Sequence, residues 1–267
     1  MEYRTLGRTG VELPVVGLGT WRVLDVHGSA VEADRHTVVQ RALDSGTTVV
    51  DSSPMYGQAE RVLGDALRDR RDEAFVATKV WATDDDEAGR QLGNAYGFFR
   101  GRIDLYQVHN LVAWRRRLEL LERERDAGRV RYVGVTHHAA SALSDIEHIM
   151  RSGRIDAIQV PYNPRQREIE QRILPCAADF GIGVLLMRPF GEGSLLRRTP
   201  ASSELTALGV RTWAQALLRW GLSDPRVTVS LPATSSADRA VQNAQGGDGP
   251  WFDASQRERV VRLAEQL

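Results

Sequence analysis

Short apolar runs recur along the chain, each closing on a polar or small residue: Val15–Gly19, Thr47–Asp51, Phe75–Lys79, Leu105–His109, Val130–Thr136, Ala157–Pro161, Val184–Arg188 and Val227–Pro232. Runs of this length, rich in Val, Ile and Leu, predict strands buried on both faces, as in a parallel sheet. Segments of helical period lie between them. Val38, Val39, Ala42 and Leu43 share one face, with Arg35, Gln40, Arg41 and Asp44 largely off it, and Gly46 follows as a C-cap. Val62, Leu63, Ala66 and Leu67 repeat the pattern among Arg61, Asp65, Arg68 and Asp69. Further helices are predicted over Trp114–Ala127, Arg165–Phe180, Thr212–Gly221 and Ala237–Gln245.

Strand and helix alternating in this way point to a parallel α/β architecture. The steps from Asp51 to Lys79, to His109 and to Thr136 are 28, 30 and 27 residues, the size of one strand-helix unit. The longer step from Met187 to Pro232 predicts an enlarged loop after the seventh strand. A doubly wound sheet would usually carry a Gly-rich turn after its first strand. Gly17-Leu18-Gly19-Thr20-Trp21-Arg22 lacks the third Gly of that turn, as does Gly191-Glu192-Gly193, and no P-loop pattern occurs. The expected fold is therefore a (β/α)8 TIM barrel, a single domain over residues 1–267.

Composition narrows the partners. Thirty-five basic residues balance thirty-five acidic ones, so no net field steers nucleic acid or acidic lipid, and a small-molecule partner is expected. Cys176 is the only cysteine, which excludes an internal disulfide and fits a cytoplasmic location. The N-terminus lacks an apolar signal region, and no apolar run is long enough to span a membrane. Lys79 is the only lysine among the thirty-five basic residues. A position that stays Lys in so Arg-rich a chain points to a need for a compact charge with a tunable pKa.

In such a barrel, chemistry sits where strands end. Asp51, Lys79 and His109 close three successive strands. Taken singly, the first two read as a buried ion pair and the third as a core histidine. Together at adjacent strand ends they read as a site. Tyr56 follows in the tight loop Asp51-Ser52-Ser53-Pro54-Met55-Tyr56-Gly57. A neighbouring ammonium favours phenolate, so Lys79 is expected to lower the pKa of Tyr56. The set suits donation of a proton to an oxygen gaining charge, with His109 bonded to the same oxygen.

These residues carry a resemblance. The stretch from Asp51 to Glu60, with Leu63-Gly64, Ala77-Thr78-Lys79-Val80-Trp81, Ile103-Asp104-Leu105-Tyr106 and Arg131-Tyr132-Val133-Gly134-Val135-Thr136, resembles the aldo-keto reductase superfamily, in a bacterial-type form. The similarity runs from the Leu6–Trp21 segment to about Asn243. It implies a catalytic tetrad of Asp51, Tyr56, Lys79 and His109, and a hydride supplied by a nicotinamide cofactor, with NADP(H) preferred and NAD(H) possible. It also implies the cofactor contacts. Gln159 matches the carboxamide-binding Gln, and Thr136 and His137 stand where the family usually has Ser and Asn. Met187 replaces the Tyr that often stacks on the nicotinamide, a form some bacterial members share. Gly19, Thr20 and Trp21, with Arg188 and Pro189, join the same set.

Gly191, Gly193 and Leu195 belong to a flexible stretch expected to clasp the pyrophosphate. Pro232, Ala233, Thr234, Ser235, Arg239, Gln242 and Asn243 align with the adenosine-phosphate segment. There Ala233 replaces the family's Lys, and Arg239 is placed to pair with a 2′-phosphate. Trp21 and Trp81, with Tyr56 and His109, are the expected substrate wall. His137-His138 lack a third ligand at metal spacing, so no metal is expected. The implied activity is reduction of an aldehyde or ketone. The alternatives are the same site run as a sugar or alcohol dehydrogenase, and a non-enzymatic nicotinamide-nucleotide-binding partner protein such as a channel subunit. The intact tetrad and the lack of an extra N-terminal segment weigh against the last. A monomer is the expected state, and a chain ending soon after its last helix implies an open, permissive pocket.

Overall fold

A computed structural model describes residues 1–266. A hairpin of β1 (Tyr3–Thr5) and β2 (Glu12–Pro14) precedes eight parallel strands: β3 (Leu18–Gly19), β4 (Val49–Asp51), β5 (Phe75–Val80), β6 (Ile103–His109), β7 (Val130–Thr136), β8 (Ala157–Pro161), β9 (Gly183–Met187) and β10 (Val229–Ser230). Neighbours in sequence are neighbours in the sheet. The sheet closes on itself through Gly17 N–H to Ser230 O at 2.9 Å, Ser230 N–H to Val15 O at 2.8 Å and Gly19 N–H to Pro232 O at 2.9 Å. All eight expected runs contain a strand, and the barrel is the (β/α)8 type.

Two apolar layers hold it. Val49, Phe75, Ala77, Leu105, Ala157 and Leu185 pack inside the barrel with Val229 and Leu231. The larger cluster lies between strands and helices and includes Val38, Val39, Val62, Leu63 and Leu118. The hairpin, which the alternation does not announce, contributes Leu6 and Leu13 to the inner cluster. Gly183 makes room for this plug: a Cβ there would lie 2.2 Å from Leu6 Cδ1.

The helices are α1 (Ser29–Asp44), α2 (Ala59–Leu67), α3 (Asp85–Phe98), α4 (Trp114–Asp126), α5 (Leu143–Arg151), α6 (Ile173–Asp179), α7 (Ser202–Ala207), α8 (Trp213–Leu222), α9 (Ala237–Ala244) and α10 (Ala254–Gln266). The helix expected over Arg165–Phe180 is confined to α6. Asn163 Oδ1 accepts from Arg165 N–H at 3.0 Å, and Asn163 and Gln166 exchange backbone hydrogen bonds, so the chain turns there. A further helix, α10, follows the last one expected, and its Ala264 carbonyl accepts from Arg165 Nε at 2.8 Å. The long connection after β9 holds a short 3-10 turn over Gly191–Leu196, then α7 and α8. Among the described residues no helix is long and apolar enough to cross a membrane.

Candidate active site

The period of two along a strand decides what reaches the mouth of the barrel. Ala77, Leu105, Ala157 and Leu185 face the inner cluster. Two residues further along the same strands lie Lys79, Gln107, Gln159 and Met187, and Asp51 follows Val49 in the same way. Register then sets neighbours: Asp51 pairs with Ala77, Lys79 with Gln107, His109 with Thr136, and Thr136 with Gln159. On β4, β5, β6 and β8 the inward side chains therefore change from hydrocarbon to polar toward the strand end, while β9 ends on Met187.

Lys79 is fully buried. Its ammonium donates to Asp51 Oδ1 at 2.8 Å, Asp51 Oδ2 at 2.7 Å and the Ser52 carbonyl at 2.7 Å. Tyr56 interacts with the same ammonium. Burial opposes the charge, but Asp51 and Tyr56 outweigh it and the pKa of Lys79 rises. Gln107 Nε2 also donates to Asp51, at 3.4 Å. Behind this pair Glu60 of α2 accepts from the Thr78 hydroxyl, and burial pushes its carboxyl up to about 7.

Tyr56 ends a 3-10 turn over Pro54–Tyr56 that Ser53 caps by accepting from Met55 N–H at 3.2 Å. Gly57 follows at φ 60°, where a Cβ would lie 2.2 Å from Asp25 Oδ1, and that oxygen accepts from Gln58 N–H at 2.9 Å. The turn brings the phenol over the strand ends. Lys79 Nζ lies 5.2 Å from its ring centre, and the His109 ring stands edge-on at 5.8 Å. The expected lowering of the Tyr56 pKa does not hold. Burial raises it, Lys79 pulls it down, Asp51 pushes it back up, and the net shift is upward.

His109 is buried, with Nδ1 2.8 Å from Ser53 Oγ. Burial, then the Lys79 charge, lower its pKa to about 3, so the imidazole is neutral at physiological pH.

These groups border a cavity of about 380 Å³. Asp51, Tyr56 and His109 line it, and Lys79 stands behind Asp51. Gly19, Thr20, Trp21, Thr136, Gln159 and Met187 also line it, as do Arg188, Pro189, Gly193 and Ala233. His137 does not. Its Nδ1 accepts from Ala139 N–H at 3.0 Å, and its ring stacks against His138, which takes the place on the wall beside Asn110. Trp81 is 43% exposed outside the cavity, with its backbone N–H and carbonyl tied to the Gln91 side chain.

The Gly191–Leu196 stretch forms a kinked turn with Glu192 and Gly193 in left-handed conformations. Arg188 pairs with Glu192 at 2.8 Å. Gly191 and Leu195 lie off the cavity, and the Leu195 carbonyl accepts from Trp213 Nε1 at 2.9 Å. At the far end Ser236 caps α9, and Arg239 and Ser235 are exposed. Asn243 is buried beside Gly17, Leu18 and Pro232. Thr234 Oγ1 accepts from Ser236 N–H at 3.2 Å, and Gln242 is exposed on α9. Arg35 of α1, which no motif marks, donates to Val23 O and Ser235 O and ties the two loops flanking this end. Val23, Met55, Phe190 and Leu196 complete an apolar wall that strand-end reasoning does not reach.

The donor set fits a nicotinamide nucleotide. Thr136 Oγ1 is buried on the cavity wall with no hydrogen-bond partner among the described residues, and register sets Gln159 beside it. A buried hydroxyl without a partner is costly, and a carboxamide would satisfy it.

Comparison with known proteins points to one family. The model of the aldo/keto reductase family matches residues 15–265. Aldo-keto reductase YhdN of Bacillus subtilis is 32% identical over 217 residues, covering 73% of this chain and 64% of its own length. The chain thus spans just under two thirds of that relative. Methylglyoxal reductase YeaE of Escherichia coli is 27% identical over 248 residues, covering 88% of this chain and 85% of its own. A Klebsiella pneumoniae aldo/keto reductase solved with NADP and acetate superposes with a TM-score of 0.83 at 24% identity, covering 97% of this chain and 94% of that one.

Proposed function

The chain belongs to the aldo/keto reductase family, and from that premise we propose that it reduces an aldehyde or ketone to an alcohol at this cavity, with NADPH as the preferred reductant. The observation that carries the reading is the convergence of Asp51, Tyr56 and His109 on one cavity, with Lys79 directly behind Asp51 and beneath the Tyr56 ring. The bound nicotinamide supplies the hydride, which no side chain can. Thr136 and Gln159 would hold its carboxamide, Met187 would pack on the ring, and Arg239 would meet the 2′-phosphate. The NADP-bound Klebsiella relative supports that choice of nucleotide.

The chain's own groups handle the oxygen. The raised pKa keeps the Tyr56 phenol protonated at neutral pH, so the acid form is present. As the carbonyl oxygen gains charge, Tyr56 gives it a proton, and the Lys79 ammonium stabilises the phenolate left behind. Asp51 keeps Lys79 in place and charged. Neutral His109 donates a hydrogen bond to the same oxygen and leaves Tyr56 as the acid. The same groups run in reverse oxidise an alcohol, by microscopic reversibility.

The test is a panel of aldehydes and ketones assayed by loss of NADPH absorbance at neutral pH, with the matching alcohols and NADP+ in the opposite direction. The reading expects NADPH consumption matched by alcohol. Tight NADPH binding with no turnover on any carbonyl or alcohol would leave a nucleotide-binding protein in its place.

A further inference from the structure

We propose that Ser53 is a positioning residue: its hydroxyl fixes the His109 proton on Nε2, so that the ring presents a donor to the cavity. The inference rests on the carbonyl-reduction reading for its purpose, but its geometry stands alone. Ser53 is fully buried, and its Oγ has two partners, Met55 N–H at 3.2 Å and His109 Nδ1 at 2.8 Å.

Hydrogen-bond accounting decides the direction. A serine hydroxyl has one proton and two lone pairs, and a neutral imidazole has one donor and one acceptor nitrogen. Met55 N–H uses one lone pair of Ser53. If His109 carried its proton on Nδ1, that proton would take the other lone pair. The Ser53 proton would then have no acceptor among the described residues, because its two partners would both be donors. A buried donor left unpaired is costly. If Ser53 instead donates to Nδ1, every group is satisfied.

The consequence falls on Nε2. His109 lines the cavity and its Nδ1 is taken, so Nε2 is the nitrogen left for a ligand. With its proton there, the ring donates to a carbonyl oxygen. In the other tautomer a lone pair would face that oxygen and repel the charge it gains. Burial and Lys79 keep the ring neutral, so the choice between tautomers is the one that matters. Ser53 thus acts through His109 and need not touch the substrate.

Nitrogen-15 NMR of the histidine rings tests this on the protein without cofactor. The wild type is expected to show His109 with a proton on Nε2 and an accepting Nδ1. Ser53→Ala should move the ring toward a mixture of tautomers, and Ser53→Thr, which keeps the hydroxyl, should restore the wild-type signature. On the best carbonyl substrate Ser53→Ala should lose about 10-fold in kcat/KM, less than the roughly 100-fold or more for removing a proton donor outright because the ring itself remains, with NADPH affinity unchanged and recovery in Ser53→Thr. A wild-type His109 protonated on Nδ1, or a tautomer unchanged in Ser53→Ala, overturns the proposal. The NMR result needs no turnover, so it stands or falls separately from the reductase reading.

Discussion

Lys79 Nζ reaches both carboxylate oxygens of Asp51, at 2.8 and 2.7 Å, across adjacent parallel strands. Asp51 pairs in register with Ala77, so Lys79 stands one inward step further along its strand. The ion pair is almost wholly buried, and its third bond goes to the Ser52 carbonyl. Such a pair is poor at adding stability, because desolvation offsets its attraction. Its value lies in holding a positive charge beneath the Tyr56 ring.

Breaking the pair from one side is therefore predicted to be expensive. Lys79→Met leaves the Asp51 carboxylate buried with only Gln107 beside it, and should cost about 3–5 kcal/mol in urea unfolding. Adding Asp51→Asn should recover most of that stability while activity stays absent. Stability that fails to recover would show that the pair does more than balance charge.

Lys79→Arg separates charge from shape. The pocket is fully closed around a point charge with three donors, and a planar guanidinium does not fit it. Turnover should fall by at least about 100-fold, the lower range for a lost acid-base function. Near-normal kcat would mean that charge alone suffices.

His109 gives a pH prediction. Its folded pKa is depressed to about 3 from 6.5, so the unfolded chain binds the proton more readily in between. The stability it contributes is complete above pH 6.5 and is lost as pH falls toward 3. His109→Phe should unfold with a smaller drop in urea midpoint between neutral pH and about pH 4, a span inside that window. An equal drop in both proteins would contradict a neutral buried ring.

At the nucleotide end, Arg239→Ala should weaken NADPH binding by at least about 10-fold, the loss of one charge-assisted contact, and leave NADH binding nearly unchanged. Fluorescence titration with both nucleotides measures it. Equal losses would remove Arg239 from 2′-phosphate recognition.

Much of this was legible in the residues. Asp51, Lys79 and His109 close apolar runs, Gln159 lies two residues before the end of its own, and the period of two carries each to the barrel mouth. Other features depend on contacts across the fold. α3 carries Gly89, Gly93 and Gly97 on an open face, which weakens its helical signal, yet Ala88, Leu92 and Ala95 anchor it. His138 rather than its neighbour His137 meets the cavity because the Ala139 N–H holds the His137 ring. The direction of the Tyr56 shift depends on how deeply the phenol is buried and how near Asp51 lies, which sequence spacing does not encode.

The central claim is that Tyr56 delivers the proton to a carbonyl oxygen while the nucleotide site stands independently. The most direct measurement compares wild type and Tyr56→Phe under saturating NADPH with the best aldehyde or ketone, alongside NADPH affinity for each. Tyr56→Phe is predicted to lower kcat by about 10²–10⁴, the range for a positioned general acid, with NADPH affinity within about twofold, since a lost hydroxyl off the cofactor costs less than one tenfold step. A kcat near that of the wild type would contradict it.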